Sequence, residues 1–358
     1  MTDILLFGSG SFAQRIALDI AATARAPVEV CVAGRNTARM DWLRLAGNAR
    51  AAIFATSARF ITAPANLKAP DDATTLIARL RPRVVVQAAS VQTASVISSS
   101  GNAWTRLVAK GGLSATAVLQ AMFTLRVAQA LRAAGSEAIL VNACFPDVVN
   151  TLLVAAGHRV ACGIGNIAIL SNAFAAALDR YEPSAVRILA HYQTIGVFRQ
   201  PVSERIGPLP RAWIDDVEVP DVLKRFRDVK ITPEPAVEIS GASGVPLILA
   251  MVRGEPWRGH VPGPNGWPGG YPVHWTGREM LADLPPDVSL DEAKAWNAGF
   301  EEVSGLVVGA HGRASSRGTL HDLLYAESPA IADGFDLADL AEVCTEMDAL
   351  RTRMLQRA

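Results

Sequence analysis

Apolar runs of strand length alternate with segments of helical periodicity along the first half of the chain. The strand-length runs cover residues 4–7, 28–33, 84–89 and 138–141, and a short strand is also predicted near residues 52–55. Between the first two runs, apolar side chains recur at helical spacing, at Ile16, Ala17, Ile20 and Ala21. Because these runs are mostly continuous and apolar, they predict strands of a parallel sheet that helices cover on both faces.

A turn rich in small residues follows the first run directly. Its residues are, in order, Gly8, Ser9, Gly10, Ser11, Phe12 and Ala13. Gly8 permits a tight strand-to-helix turn, Gly10 removes a side chain that would hold a pyrophosphate off the backbone, and Ala13 allows close helix packing. The following helix offers free N–H groups to a phosphate. We therefore predict a dinucleotide-binding turn; the alternative is a tight turn in an unrelated α/β domain.

The end of the second run predicts which dinucleotide is bound. An acidic residue here would accept a hydrogen bond from the ribose 2′-hydroxyl of NAD, but the chain has Arg35 and Asn36, with Arg39 close behind. A guanidinium can pair with a 2′-phosphate and stack on adenine. The sequence thus predicts NADP(H) in preference to NAD(H). The alternative is that Arg35 is a solvated charge after a strand.

Two later strands end in residues suited to the rest of the cofactor. Ala88, Ala89 and Ser90 are small enough for a dinucleotide to lie against their backbone. The run over 138–141 stops at Asn142, just before a Phe-Pro turn. Ligands of open parallel sheets bind at the carboxyl ends of the strands. We therefore predict that the small residues contact the cofactor and that Asn142 faces its reactive end.

Composition and charge narrow the classes of protein. The 358 residues suffice for two domains, which we place at 1–150 (dinucleotide-binding) and 151–358 (substrate and oligomerisation, with a C-terminal helical extension). No apolar run reaches the roughly 18 residues of a membrane span. A formal net charge of zero without a basic cluster argues against nucleic acid as a partner. Scattered cysteines and the lack of a secretory pattern lead us to expect a cytoplasmic protein.

The order of these motifs resembles the lactate/malate dehydrogenase superfamily. The likeness comes from the glycine turn, the strand ending Ala-Ala-Ser, the strand ending in Asn before a Pro, a glycine-rich turn at 163–166 and a strand before His191. It covers about residues 1–303. The resemblance implies an α/β protein with an N-terminal Rossmann parallel sheet followed by a mixed α/β substrate domain. It also implies a nicotinamide-dependent dehydrogenase.

Several positions depart from the pattern of that family. Its catalytic His lies in a Gly-Glu-His-Gly loop, whereas His191 is followed by Tyr192 and Gln193. The Asp that pairs with this His, and the Arg that binds the substrate carboxylate, are missing from the helix after residue 166. Arg106 is the nearest candidate for the family's mobile-loop Arg. Without those arginines a 2-oxo acid cannot be bound by bidentate pairing, so we expect a substrate other than lactate or malate.

Hydride transfer to a carbonyl or imine also requires a proton donor, and the pKa of histidine suits that role. The predicted catalytic residues are His191 as donor, Asn172 as the neutral partner of its ring, Asn142 as an orienter and Tyr192 as a second donor. Ser243 and Arg106 are the candidate substrate contacts. The alternative for His191 is a histidine that links strands by hydrogen bonds. No metal site is predicted, because His260 and His274 lack the spacing of a helical metal pair.

Together these features predict NADPH-dependent hydride transfer to the C=O, or alternatively the C=N or C=C, of a small biosynthetic intermediate. The alternative is a dinucleotide-binding sensor or assembly subunit without turnover, which the missing Asp and Arg keep open. We expect a homodimer or homotetramer. An amphipathic helix over about 337–354 lies beyond the family's usual end and packs either on the body or on a partner subunit.

Overall fold

The structure, a computed structural model, describes residues 2–69, 71–92, 101–182, 185–309 and 311–357, without the side chains of 233–237. A parallel sheet of six strands forms the first half, in the spatial order β3-β2-β1-β4-β5-β6. Its strands are β1 (Ile4–Phe7), β2 (Val28–Gly34), β3 (Ala58–Pro64), β4 (Val84–Gln87), β5 (Ile139–Asn142) and β6 (Cys162–Gly163). This order and the all-parallel pairing confirm the predicted Rossmann sheet.

Helices cover both faces of this sheet. They are α1 (Ser11–Thr23), α2 (Thr37–Ile53), α3 (Asp72–Leu80), α4 (Ala103–Gly111), α5 (Ala117–Ala133) and α6 (Val148–Ala155). On α1 the buried residues Ala13, Ile16, Ala17, Ile20 and Ala21 form one apolar stripe, as the periodicity predicts. The strands β1 and β4 are buried at every position, which explains why both are apolar except for Gln87 at the end of β4.

The predicted strand near 52–55 is wrong. The helix α2 continues to Ile53, and the strand begins only at Ala58. Leu43, Gly47 and Ala51 are buried at four-residue spacing, so this segment extends the inner face of the helix. The alanines near residue 52 are compatible with a helix or a strand, and burial of the inner face of α2 stabilises the helix.

The second half contains two small antiparallel sheets and their helices. One sheet has β7 (Val186–Leu189), β8 (Arg211–Ile214) and β9 (Val217–Glu218); the other has β10 (Trp257–Pro262), β11 (Gly270–Trp275) and β12 (Met280–Ala282). The helices are α7 (Asn166–Ala177), α8 (Tyr192–Ile195), α9 (Val222–Arg225), α10 (Pro233–Ser243), α11 (Val245–Arg253) and α12 (Leu290–Ser304). This half is the predicted mixed α/β unit, and its backbone pairs Ala190 with Gly270 between the two sheets.

The C-terminal segment packs on the first half of the molecule. It contains β13 (Leu306–Val308), β14 (Arg313–Ser316), β15 (Phe335–Asp336), α13 (Gly318–Tyr325), α14 (Pro329–Ala332) and α15 (Leu340–Leu355). On α15, Met347, Leu350 and Met354 are buried in the same apolar cluster as Phe7 and Val118 of the Rossmann half. The final helix therefore covers the body of its own chain, and this apolar cluster joins the first half of the chain to residues far beyond 150.

No helix in the described part of the chain is long and apolar enough to cross a membrane. The four cysteines, Cys31, Cys144, Cys162 and Cys344, carry free thiols. Burial raises the pKa of the Cys144 thiol to about 12, so this residue stays protonated near neutral pH.

Candidate functional site

A cleft of about 690 Å³ lies at the carboxyl ends of the central strands β1, β4 and β5. One end is lined by the turn after β1 and by the end of β2. The other end is lined by the turn after β5 and by side chains of α7 and α8 from the second half. The cleft therefore spans the place where ligands of open parallel sheets bind.

The turn after β1 has the geometry of a phosphate-binding turn. Gly8 has φ +118°, and a Cβ there would lie 2.9 Å from the backbone of both Ala88 and Ala89. A Cβ at Gly10 would meet no atom within 4 Å, so this backbone borders open space. Gly10 also precedes α1, whose first turn has neither a side-chain cap nor an acidic residue. The free N–H groups of α1 therefore fit a dinucleotide pyrophosphate.

Arg39 stabilises this turn through hydrogen bonds to Ser9 and Gln14. Its Nε donates to Ser9 O at 3.2 Å, its guanidinium also donates to Gln14 Oε1, and it stacks over Trp42. Its backbone N–H is in turn capped by Asn36 Oδ1 at 3.0 Å. Asn36 thus lines the cleft but already uses its side-chain oxygen to begin α2.

Arg35 lines the same end of the cleft and is exposed. Its guanidinium has no hydrogen bond or ion pair within the described residues, unlike that of Arg39. Among the described residues of the cleft wall, the one carboxylate is Asp147 at the other end. The positive charge of Arg35 is therefore available to an anionic ligand.

The small residues after β4 are held against the cleft by a buried glutamine. Gln87 Oε1 accepts from the Ala89 N–H at 2.7 Å, and Gln87 Nε2 donates to Ala89 O at 2.9 Å. The Ser90 hydroxyl lies 2.5 Å from both Gln92 O and Gln120 Oε1. Ala88, Ala89 and Ser90 all line the cleft, as the position of β4 requires.

Asn142 does not face the cleft as expected. It is 1 % exposed, and its side-chain amide makes hydrogen bonds in several directions. Its Oδ1 accepts from Thr124 Oγ1 at 3.0 Å and from the Cys144 N–H at 3.0 Å, and its Nδ2 donates to Asn150 Oδ1 at 2.8 Å. Because the polar atoms of a buried amide need hydrogen-bond partners, the Asn142 side chain is directed into the protein, where it stabilises the turn after β5.

His191 is buried behind the cleft wall and does not line it. Its Nε2 lies 3.1 Å from Glu301 Oε1 on α12, and Phe300 stacks on the ring at 5.3 Å between centroids. Its Nδ1 accepts from the Gln193 N–H at 3.4 Å, at the start of α8. Each ring nitrogen therefore already has a protein partner.

The expected pairing of Asn172 with His191 is wrong. Asn172 lies on an exposed face of α7, and its Nδ2 donates to Ala168 O at 2.7 Å, one turn back. Glu301, more than a hundred positions after His191, takes the place of that partner. No local pattern indicated this partner, because a carboxylate in an amphipathic helix resembles a solvated charge.

Tyr192 lines the cleft, and its hydroxyl lies 3.3 Å from Ser114 Oγ. Burial raises the pKa of Tyr192 to about 12, so its phenol is a weak acid near neutral pH.

Asp147 lies in the cleft wall at the start of α6. It is 3 % exposed. Its Oδ1 accepts from Asn166 Nδ2, and its buried Oδ2 has no hydrogen-bond partner among the described residues. Burial raises the pKa of Asp147 to about 6, against the lowering effects of nearby His191, of the Asn166 hydrogen bond and of the Tyr192 backbone N–H. A position before a helix predicts a capping role, but the side chain makes no cap hydrogen bond.

The predicted substrate contacts lie elsewhere. Ser243 Oγ donates to Ser240 O at 2.9 Å within α10, and only Ser240 lines the cleft. Arg106 lies on an exposed face of α4, outside the cleft wall. The cleft instead has Arg199, from the segment after α8, whose guanidinium makes no ion pair within the described residues. Its distance from any motif explains why the sequence did not single it out.

Comparison with known structures supports the fold. The chain is similar to the minor L-lactate dehydrogenase of Enterococcus mundtii, at 15 % identity and a TM-score of 0.51, over 85 % of this chain and 97 % of that one. It is also similar to the malate dehydrogenase of Plasmodium falciparum, at 12 % identity and a TM-score of 0.50, with the same two coverages of 85 % and 97 %. No protein-family model and no curated protein sequence matches. The resemblance to the lactate/malate dehydrogenase superfamily is thereby confirmed at the level of the fold.

Proposed function

We propose that this chain is an NADP(H)-dependent oxidoreductase. It transfers a hydride to the C=O, or alternatively the C=N or C=C, of a small intermediate other than lactate or malate. The observation that carries this proposal is one cleft that joins an uncapped glycine turn and Arg35 at one end to a buried, partly unsatisfied carboxyl group at the other.

The residues of the first half would hold the cofactor. The α1 N-terminus after Gly10 would bind the pyrophosphate, and the backbone at Ala88 and Ala89 would lie along the dinucleotide. When bound, the reduced nicotinamide supplies a hydride, which carries two electrons to the substrate. The protein's own part is to bind and orient both molecules and to provide a proton.

The preference for NADP(H) rests on the end of β2. Arg35 is exposed to the cleft and has no carboxylate partner, whereas Arg39 is fully engaged in holding the turn. A ribose 2′-phosphate would therefore meet an available guanidinium and no opposing carboxylate.

The charged residues at the end of the cleft near α7 and α8, the substrate end in this proposal, favour one class of substrate. The family's carboxylate-binding arginine is missing from α7, where Asn172 is exposed and its amide donates to its own helix. Arg199 gives this end one positive charge, which favours a substrate with an anionic group. One such cation, without a second arginine from the helix, supports a substrate different from lactate and malate.

The test compares NADPH and NADH binding by nicotinamide fluorescence. Arg35→Asp should weaken NADPH binding about a hundredfold, because it replaces an attraction to the 2′-phosphate by a repulsion, and should change NADH binding by less than about threefold. Arg25→Asp is the matched control. Arg25 is also exposed, but it lies before the amino end of β2, whereas Arg35 follows the carboxyl end of that strand. Equal effects on both coenzymes would remove Arg35 from the phosphate site.

One observation favours the alternative of a dinucleotide sensor without turnover. His191, the expected proton donor, does not reach the cleft. NADPH oxidation measured with small aldehydes, ketones and imines separates the two functions. Saturable NADPH binding without oxidation across that panel would favour the sensor.

A further inference from the structure

Asp147 places a buried carboxyl oxygen without a hydrogen-bond partner among the described residues in the wall of the cleft. The carboxyl is nine-tenths buried, yet it belongs to the cleft wall. Asn166 occupies Oδ1, and Oδ2 has no partner within the described residues. A buried oxygen without a hydrogen bond costs free energy, so its retention in the wall of a cleft points to a ligand that completes it.

Burial is the largest cause of the raised pKa of Asp147, and the groups behind it add to that effect or oppose it. His191 and Glu301 lie close enough to act on its charge, and Tyr192 is the remaining titratable neighbour. His191 is hydrogen-bonded to Glu301 at 3.1 Å, so two carboxyl groups share the neighbourhood of one imidazole. The nearby Glu301 adds to burial in favouring the protonated form of Asp147, whereas the nearby His191 opposes it.

We propose that Asp147, and not His191, exchanges the proton with the substrate, and that the buried His191–Glu301 pair is a positioning unit behind it. This inference rests on the proposed function, because it assigns the acid of that same reaction. It differs from the arrangement implied by the resemblance to lactate and malate dehydrogenases, in which a histidine exchanges the proton with the substrate.

The step balances with the proposed reduced dinucleotide as the two-electron donor. The substrate carbonyl carbon receives a hydride, and the C=O π electrons move to the oxygen. That oxygen takes the proton from Asp147 Oδ2. The products are an alcohol, the oxidised dinucleotide and an Asp147 carboxylate, which regains a proton from water in the cleft.

The first test needs no substrate. Dicyclohexylcarbodiimide reacts with protonated carboxyl groups in apolar surroundings, and peptide mass spectrometry locates the adduct on the full chain. We expect labelling of Asp147 that is half-maximal near pH 6 and falls at least about tenfold with saturating NADP⁺. Asp147→Asn should remove that adduct, whereas Asp287→Asn, an exposed change of the same charge, should leave it. An unlabelled Asp147 at acid pH would overturn the inference.

The second test follows NADPH oxidation with whichever aldehyde, ketone or imine of the panel is reduced fastest. Asp147→Asn should lower kcat at least about a hundredfold and leave the NADPH Kd within about twofold. His191→Gln should retain turnover but shift the half-maximal pH of kcat upward, because the variant removes an imidazole that lowers the proton affinity of Asp147. Tyr192→Phe should leave that half-maximal pH unchanged.

The outcomes separate the two proposals. Loss of kcat in His191→Gln at every pH, with Asp147→Asn within about threefold of wild type, would make His191 the donor and overturn the inference alone. A wild-type chain that fails to bind NADPH, or binds it without oxidation across the panel, would overturn the proposed function and the proton role with it.

Discussion

The two ends of the cleft are built in different ways. The proposed nucleotide end, at the turn after β1, is mostly backbone from one short stretch, where Gly8 and Gly10 leave room and α1 supplies N–H groups. The proposed substrate end is made of side chains from distant segments, with Asp147 after β5, Asn166 on α7 and the His191–Glu301 pair between α8 and α12. One end depends on the absence of side chains, and the other on their exact pairing.

This difference affects how each end tolerates change. A backbone site is damaged when a side chain is added, because the added atoms meet neighbouring backbone, as at Gly8, or fill space that a ligand would occupy, as at Gly10. A side-chain site is damaged when a charge or proton is removed, often with little effect on the fold. The following predictions test that contrast from the largest effect to the smallest.

The largest effect is expected at Gly8. Gly8→Ala combines φ +118° with a Cβ 2.9 Å from backbone atoms of Ala88 and Ala89, so it should cost about 2–4 kcal/mol of stability as well as dinucleotide binding. Gly10→Ala is the matched control: nothing lies within 4 Å of its Cβ, so stability should change by less than about 1 kcal/mol while NADPH binding weakens. Urea unfolding and NADPH titration measure both. Equal destabilisation by the two variants would contradict the steric argument.

Asp147→Asn should produce a pH-dependent gain in stability. The folded-state pKa of about 6 exceeds the ordinary 3.8, so the protonated carboxyl stabilises the fold below about pH 4 and this contribution is lost as pH rises through 6. Asparagine does not ionise, so its advantage over wild type should grow by up to about 3 kcal/mol between about pH 4 and about pH 7. Urea unfolding at several pH values measures it.

Asp287→Asn serves as the control for that gain, because Asp287 is exposed and should give a difference that stays nearly constant with pH. A constant difference for Asp147→Asn as well would show that the buried carboxyl titrates like a solvated one.

Tyr192→Phe should have the smallest effect. The phenol interacts with the Ser304 side chain and lies 3.3 Å from Ser114 Oγ, at the limit of hydrogen-bond distance, so its loss should cost less than about 1 kcal/mol in urea unfolding. Asn166→Ala, which removes the partner of Asp147, should cost more and serves as the comparison. A larger loss of unfolding free energy for Tyr192→Phe than for Asn166→Ala would show that the phenol contributes more to stability than the partner of Asp147 does.

Sequence reasoning succeeded where a local pattern has one structural solution. The glycine turn after a buried strand, the helix over α1 and the small residues after β4 lie where the pattern predicts them. It was wrong at residues 52–55, where alanines suit both helix and strand and packing against the sheet decides.

The same reasoning was less successful at the substrate end. Asn142 stands at the predicted strand end, but its amide faces the buried turn, because Thr124 and Asn150 satisfy it there. His191 is followed by the start of α8, and only the fold shows that α12 brings Glu301 to its ring. Sequence spacing carries no information about a partner that arrives from another helix.

The alternating α/β order, the parallel sheet and the tight glycine turn after β1 follow from the sequence, because strand burial and glycine freedom act over a few neighbouring residues. The tertiary structure alone decided that Asp147 and not His191 borders the cleft, and that the C-terminal helix α15 covers its own chain. Burial and charge pairing depend on residues far apart in the chain, so they are fixed only when those residues are packed together.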